Sequence, residues 1–441
     1  MDMRFRGLLA AAVVLLVLGG LLLWSNHRKP SENTSSTNST PAVVTVKPAD
    51  VTGLTIKAKG AEPVVLSKSG SRWQITAPTP AAADSDAVTS LLGTLSPLRS
   101  ERVIDEKATD LSAYGLSDPA VEVDVTGAGS TTRVLLGDNT PTGDDVYAAL
   151  AGSPRVFTTL ASAKTSLSKS ENDLRDKRLV PVQVNAVSQV QLDRKGQAIA
   201  FSRVRNGWQM QKPQPYRTDT YQVDDLVQQV AGAKWDASAT PRQAAAAFAH
   251  AQPFATVKLV SASGTDGLEV RKNKEDYYAR SSALGETYKV DPSQAPAFAA
   301  ALNRSLDDFR NKQLFDFGYA DPDKIEYHSG DTNIVLTRSG SDWFSNGKKM
   351  NPDSVESVAT ALRDLAASKF VDSGFSAPAI DLTVTSDDGK RVEKVTIRKQ
   401  GDNYFAQREN EPSIYQLDSK SVTDLQAAVK DVKPAAPEKK K

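Results

Sequence analysis

The sequence predicts an α+β protein with one N-terminal transmembrane helix, followed by three tandem repeats of a mainly antiparallel sheet with packed helices. Three observations carry that expectation. An uncharged apolar run stands near the amino terminus, and a tryptophan recurs at Trp73, Trp208 and Trp343, each 135 residues from the next. The length of 441 residues also exceeds what one hydrophobic core usually organises.

The apolar run is Leu8 to Trp24, seventeen residues without a charge. It is at the short end of what crosses a hydrocarbon layer of roughly 30 Å. Arg4 and Arg6 precede it, Trp24 suits an interfacial end, and the residues that follow make a poor signal-peptide cleavage site. Residues 1–29 are therefore expected to be a cytoplasmic stub and an uncleaved inner-membrane anchor, with the bulk of the chain extracytoplasmic or periplasmic. Residues 30–44 begin PSENTSSTNSTPA, a polar composition that forms no core and serves as a flexible linker.

Around each tryptophan the surroundings match. Seven residues earlier lie Leu66, Phe201 and Leu336, and two residues before those lie Val64, Ile199 and Ile334. Ser69-Gly70-Ser71, Arg205-Asn206-Gly207 and Ser339-Gly340-Ser341 intervene as turns. Period-two apolar residues broken by such clusters read as hairpins.

An amphipathic helix is expected next, with apolar stripes Val88, Leu91, Leu92, Leu95, Leu98; Val223, Leu226, Val227, Val230, Ala233; and Val355, Val358, Ala359, Leu362, Leu365. Asp84 and Asp219 stand where N-caps belong. A second strand group follows and is expected to close on an aromatic strand at Val146-Tyr147-Ala148, Tyr277-Tyr278-Ala279 and Tyr404-Phe405-Ala406. A last helix is expected to end in Leu174-Arg175-Asp176-Lys177-Arg178-Leu179 and Phe309-Arg310-Asn311-Lys312-Gln313-Leu314. A period this long marks whole domains, not a solenoid. The repeats are placed at 45–180, 181–316 and 317–432, with a frayed basic tail at 433–441.

Composition narrows the chemistry. Lys plus Arg (54) balances Asp plus Glu (53), which gives no electrostatic reason to expect nucleic acid. With no cysteine, thiolate nucleophiles, disulfides and Cys-ligated zinc are excluded. The three histidines have no metal-ligand spacing, and Asp316-Phe317-Gly318 lacks every companion motif of a kinase. Asp316, Asp321 and Asp323 lack the calcium-loop pattern. No catalytic, cofactor or metal residues are assigned. A hydrolase built on paired carboxylates stays open, because such a pair is invisible among so many acids.

Trp73-Gln74-Ile75 with Pro78, Ala83-Asp84, Tyr114-Gly115-Leu116-Ser117-Asp118-Pro119, Gly137 and Val146-Tyr147-Ala148 resemble the bacterial domain-of-unknown-function 4340 family. The second copy keeps Trp208, Pro213 and Asp219 without the Tyr-Gly-Leu element, and the third lacks the proline after its tryptophan. The resemblance implies a membrane-anchored envelope protein, of a kind often encoded beside ABC-transporter permeases and gliding-type auxiliary subunits. It carries no catalytic residues.

The three tryptophans, with Tyr114, Gly115 and Pro119, read as structural markers: indoles packed in the core with the N–H on a backbone carbonyl, and a turn that needs a glycine. Arg175, Lys177, Arg178, Arg310 and Lys312 recur at matching positions and are the candidate partner-binding cations, for an acidic protein surface, an anionic glycan or a lipid headgroup. The function expected is a non-catalytic, membrane-anchored scaffold that binds a transporter permease, an auxiliary subunit or an envelope polymer. The alternative is glycan or peptidoglycan binding through exposed aromatics at Tyr277, Tyr278, Tyr404 and Phe405.

Overall fold

The structure, a computed structural model, describes residues 42–44, 47–96, 98–127, 129–318, 322–373, 375 and 378–437. The apolar run at 8–24, nearly all of the linker, Asp321 and the terminal lysines lie outside the described residues. Among the described residues no helix is long and apolar enough to cross a membrane. The chain divides into two compact units, Met1–Asp176 and Lys177–Lys441.

The fold is α+β, with four antiparallel sheets and a smaller share of helix. In the first unit a nine-stranded sheet runs Ala81–Ala82, Arg72–Ala77, Val64–Ser69, Val51–Ala58, Val121–Gly127, Ser130–Asn139, Asp145–Leu150, Val156–Leu160, Arg102–Asp105. It consists of two meanders laid back to back, whose first strands, Val51–Ala58 and Val121–Gly127, pair in the middle. A two-stranded sheet, Ala42–Val44 with Leu98–Arg99, stands beside it.

In the second unit the same order appears twice. A seven-stranded sheet centres on Val187–Arg194 paired with Gln252–Ser261, and a nine-stranded sheet on Lys324–Ser329 paired with Ile380–Ser386. Alternating residues such as Leu54 and Ile56, Val190 and Leu192, and Ile325 and Tyr327 are buried on one face of each sheet.

Each pair of meanders is joined by a helix: Ser85–Leu95, Thr220–Gly232 and Pro352–Arg363. Their buried stripes are Val88, Leu91, Leu92, Leu95; Val223, Leu226, Val227, Val230; and Val355, Val358, Ala359, Leu362. Leu98, Ala233 and Leu365, expected on these helices, fall just beyond them and are buried all the same. Asp84 accepts from the amides of Asp86 and Ala87, and Asp219 from that of Gln222. In the third, Asn351 does the same for Ser354, ahead of Pro352. A second helix, at Ala161–Leu167, Ala295–Leu302 and Ser419–Lys430, packs on the first.

Three expectations need correction. The aromatic strands do not close the sheets, since Val156–Leu160, Thr287–Lys289 and Ile414–Leu417 each add one more. The segments Arg175–Leu179 and Arg310–Leu314 are not helical. The preceding helical turns stop at Leu174 and Phe309, and the chain then runs extended, bridging Ala83 to Arg175 and Thr218 to Arg310. The tail begins paired, with Pro434 bridged to Met350, so fraying does not start at 433.

The Tyr114 turn shows how tightly one motif is fitted. A 3-10 turn at Ser112–Tyr114 ends on Gly115 at φ 66°, and this elbow lies against the strand at Gly137. A Cβ on Gly137 would stand 2.1 Å from the Tyr114 carbonyl oxygen, and one on Gly115 2.6 Å from Asp138 Cγ. The Tyr114 and Tyr147 rings meet edge to face at 5.2 Å, and Leu116 packs with Ala149 and Val156. Gly137→Ala is expected to destabilise the first unit by about 1–3 kcal/mol through this overpacking. Gly93→Ala, on an exposed helical site with nothing within 4 Å, should stabilise it by roughly 0.5–1 kcal/mol. Chemical denaturation of both variants checks the pair, and equal shifts would refute the account of the elbow.

Candidate functional site

Trp73, Trp208 and Trp343 are 6%, 4% and 7% exposed, so they belong to the core and offer no ligand platform. A basic residue sits opposite each across the hairpin: Lys68, Arg203 and Arg338. The Arg203 guanidinium lies 4.3 Å from the Trp208 ring centre. The Trp208 N–H donates to Asp224 Oδ1 at 2.7 Å, so its partner is a helix carboxylate and not a backbone carbonyl.

The aromatics proposed for glycan stacking are not exposed. Tyr278 and Tyr404 are buried, Tyr277 packs edge-on against Phe254 at 5.2 Å, and Phe405 is half-buried. They pack because the strand carrying them lies inside the sheet, between two neighbours.

Among the candidate cations, Arg175 makes an i,i+4 pair with Glu171 in the first unit. Lys177 and Arg178 begin the second unit, where the Lys177 carbonyl accepts from Trp235 N and Arg178 bridges to Lys234. Arg310, 8% exposed, is flanked by the rings of Tyr216 and Phe370, at 4.0 and 3.5 Å. Its Nη1 donates to Asp307 at 3.0 Å and its Nη2 to Ser413 Oγ at 2.9 Å. Lys312, half-exposed, lines a cleft of about 540 Å³ with Arg304, Arg310, Asp219, Asn303 and Asp308. Burial pushes the Asp308 carboxyl up. The Ser305 amide and hydroxyl, with the charges of Lys312 and Arg304, outweigh that and hold it below its ordinary value.

Among the described residues a connected cluster of buried and half-buried charges lies between the second and third sheets. Arg217 donates to the Gln313 carbonyl at 2.7 Å and to Asp316 Oδ1 at 2.6 Å, with Nε 3.4 Å from Glu411. Arg408 donates to Glu411 at 2.7 Å, to Glu393 at 3.1 Å and to the Leu314 carbonyl. Glu393, 6% exposed, also receives the Asp316 amide on both oxygens, at 3.0 and 3.1 Å. The Asp-Phe-Gly triplet is therefore structural, and Asp316 serves as an anion in this lattice. Tyr415 donates to Glu411 at 2.7 Å and is 1% exposed. Burial pushes its phenol up to about 12; Arg217 pulls it down and Glu411 adds to the rise.

Sequence reasoning singled out Arg310 and Lys312 at this joint but missed Arg217, Glu393, Arg408, Glu411 and Tyr415. One signal was available: Ser281 and Arg408 take the same place, two residues after the alanine of each aromatic triplet, opposite Leu268 and Val395. Ser281 Oγ donates to the Leu179 carbonyl at 2.6 Å, as Arg408 does to that of Leu314, 135 residues on. Chemically the lattice can fix two sheets together. Its anions are taken up by arginines, and no nucleophile in it is left poised.

Arg408→Ala leaves Glu393 buried without its charged partner, a change that typically costs about 3–5 kcal/mol. The loss should appear in the unfolding transition of the second unit and leave that of the first unmoved, as followed by hydrogen exchange in denaturant. Tyr415 sets an alkaline limit. A phenol whose folded value lies above its unfolded one stabilises the fold below pH 10, and that contribution fades as pH rises to 12. The shift amounts to about 2–3 kcal/mol. Ultraviolet titration of the wild type against Tyr415→Phe should show the missing phenolate transition near pH 12; a difference near pH 10 would contradict the burial argument.

Comparison with curated proteins returns no match. The family profile described as Domain of unknown function (DUF4340) matches two overlapping stretches, 73–253 and 208–382. Both matches start on a repeat tryptophan, Trp73 and Trp208, and both run past the end of one sheet into the next. Together they span most of the sequence, including the Tyr114 elbow, all three linking helices and the segments Arg175–Leu179 and Arg310–Leu314, so the chain belongs to the DUF4340 family.

Proposed function

We propose that this chain is a non-catalytic, membrane-anchored extracytoplasmic scaffold, an accessory component of an ABC-type transport or motility complex. Leu8–Trp24 holds it in the inner membrane as a single pass, and 30–44 tethers the folded part on the periplasmic side. The folded part is read as three tandem repeats, at 45–180, 181–316 and 317–432, and its partner as a transporter permease or auxiliary subunit.

The observation that carries this reading is one strand order recurring in three large sheets, two of them fixed together by buried charge. Repeated sheets with spare faces offer extended surface for partner contact, which suits scaffolding. The apolar run in the sequence supports the anchor, and the family resemblance supports the class of partner.

In-cell crosslinking of the tagged full-length chain, with mass spectrometry of the membrane fraction, tests it. Recovery of permease or auxiliary subunits is the expected result, with crosslinked lysines on the sheet faces. Recovery of the chain in the soluble fraction, or with no transporter component, would overturn the reading.

A further inference from the structure

The second sheet keeps part of its polar face uncovered by its own helices. Val257, Leu259, Leu268 and Val270 point into the core, so Thr256, Lys258, Gly267 and Glu269 stand on the opposite side. Register sets them in rows across the strands: Asp193, Thr256, Glu269 and Arg280 in one, and Gln191, Lys258 and Gly267 in the next. The helix Pro241–His250 covers only the neighbouring part of this face. There Phe248 lies between the guanidinia of Arg271 and Arg280, each 4.5 Å from its ring centre.

What remains is two concavities of about 570 and 430 Å³ that share Thr256 and Glu269. The turn at Lys195 and Gly196 walls one end, and Ser282 and Gly285 the other. Gly267 opens the floor: a Cβ there would crowd the Val257 carbonyl at 3.1 Å.

The charge on this face is unbalanced. Arg271 and Arg280 both bind Glu269, at 2.8 and 3.2 Å, and exceed its charge by one, while Asp193 accepts from the neutral Gln191 amide at 2.8 Å and stays an anion, one against the three cations that follow. Among the described residues Arg194, Lys195 and Lys258 have no ion pair, so the trough carries uncompensated positive charge beside the hydroxyls of Thr256, Thr265 and Ser282. We infer that this trough binds an anionic polysaccharide strand. Cations meet its carboxylates or phosphates, while hydroxyl and amide side chains meet its sugar hydroxyls. An acidic peptide fits less well. The floor is made of interior strands whose backbone groups are already spent in the ladder, so a peptide could not add as a strand.

Affinity electrophoresis of the full-length protein in gels containing polygalacturonate tests the inference, with dextran as neutral control and poly-glutamate as acidic-peptide control. The wild type should be retarded by polygalacturonate alone, and less so as salt rises. Arg194→Glu/Lys258→Glu should weaken the apparent affinity by about tenfold or more. The milder Arg194→Gln/Lys258→Gln should weaken it in the same direction, at an unchanged melting temperature. Lys47→Glu/Lys107→Glu, an equal charge change on exposed sites of the first unit, should leave it unaltered. No retardation of the wild type, an equal loss in the first-unit control, or equal retardation by poly-glutamate would each overturn the assignment. Neither the anchor nor a transporter partner is needed for this result, so it stands or falls separately from the scaffold reading.

Discussion

Each large sheet depends on one pairing, between the first strands of its two meanders. Val51–Ala58 meets Val121–Gly127, Val187–Arg194 meets Gln252–Ser261, and Lys324–Ser329 meets Ile380–Ser386. These partners are distant in sequence, so closing the pair costs loop entropy that local hairpins do not. The linking helix offsets that cost. It brings the chain back across the apolar face while burying its own stripe there, and its N-cap is set just past the tryptophan hairpin. The indole fills the corner between hairpin and helix, which is why it recurs with the period of the fold.

The segments that lead into the second and third sheets show how one backbone plan can carry different chemistry. At Leu179 the carbonyl is met by a serine hydroxyl, and at Leu314 by an arginine. The arginine brings a charge that burial disfavours, and the structure answers with Glu393 and Glu411, then with Arg217 and Asp316. Such a lattice adds little net stability over apolar packing of the same volume, but it admits few other arrangements.

The sheet–helix plan was legible because it repeats. Spacing alone exposed the tryptophans, the stripes on three helices and two of their caps. The two-residue strands were not, since they have no periodicity to read. The helix Pro241–His250 did carry a signal, a capping box from Thr240 to Gln243 with Pro241 at its first helical position and an alanine run after it. The charge lattice was the least legible part. Its members lie up to 198 residues apart, among 107 charged residues of which any few could have paired. The candidate cations were found by recurrence, yet recurrence marks the backbone path through Arg175 and Arg310 and says nothing of where each guanidinium goes.

The buried faces of the sheets repeat, and the opposite faces differ. In the first sheet the segment after the linking helix folds as the Tyr114 elbow, which packs on Tyr147, Ala149 and Val156. At the same point the second sheet has the helix Pro241–His250, seated on Tyr278 through Ala244 and Phe248. The inner faces are constrained by packing at close to crystal density, so they have little freedom to diverge. An insert laid on the outer face perturbs neither the ladder nor the core, and it chooses which part of the polar face is covered. In the second sheet that choice leaves the rows from Asp193 to Glu269 and from Gln191 to Gly267 open. Specialisation within one recurring fold is thus free to concentrate where the chain passes from the linking helix to the second meander, and the faces those inserts leave open are where ligands can be told apart.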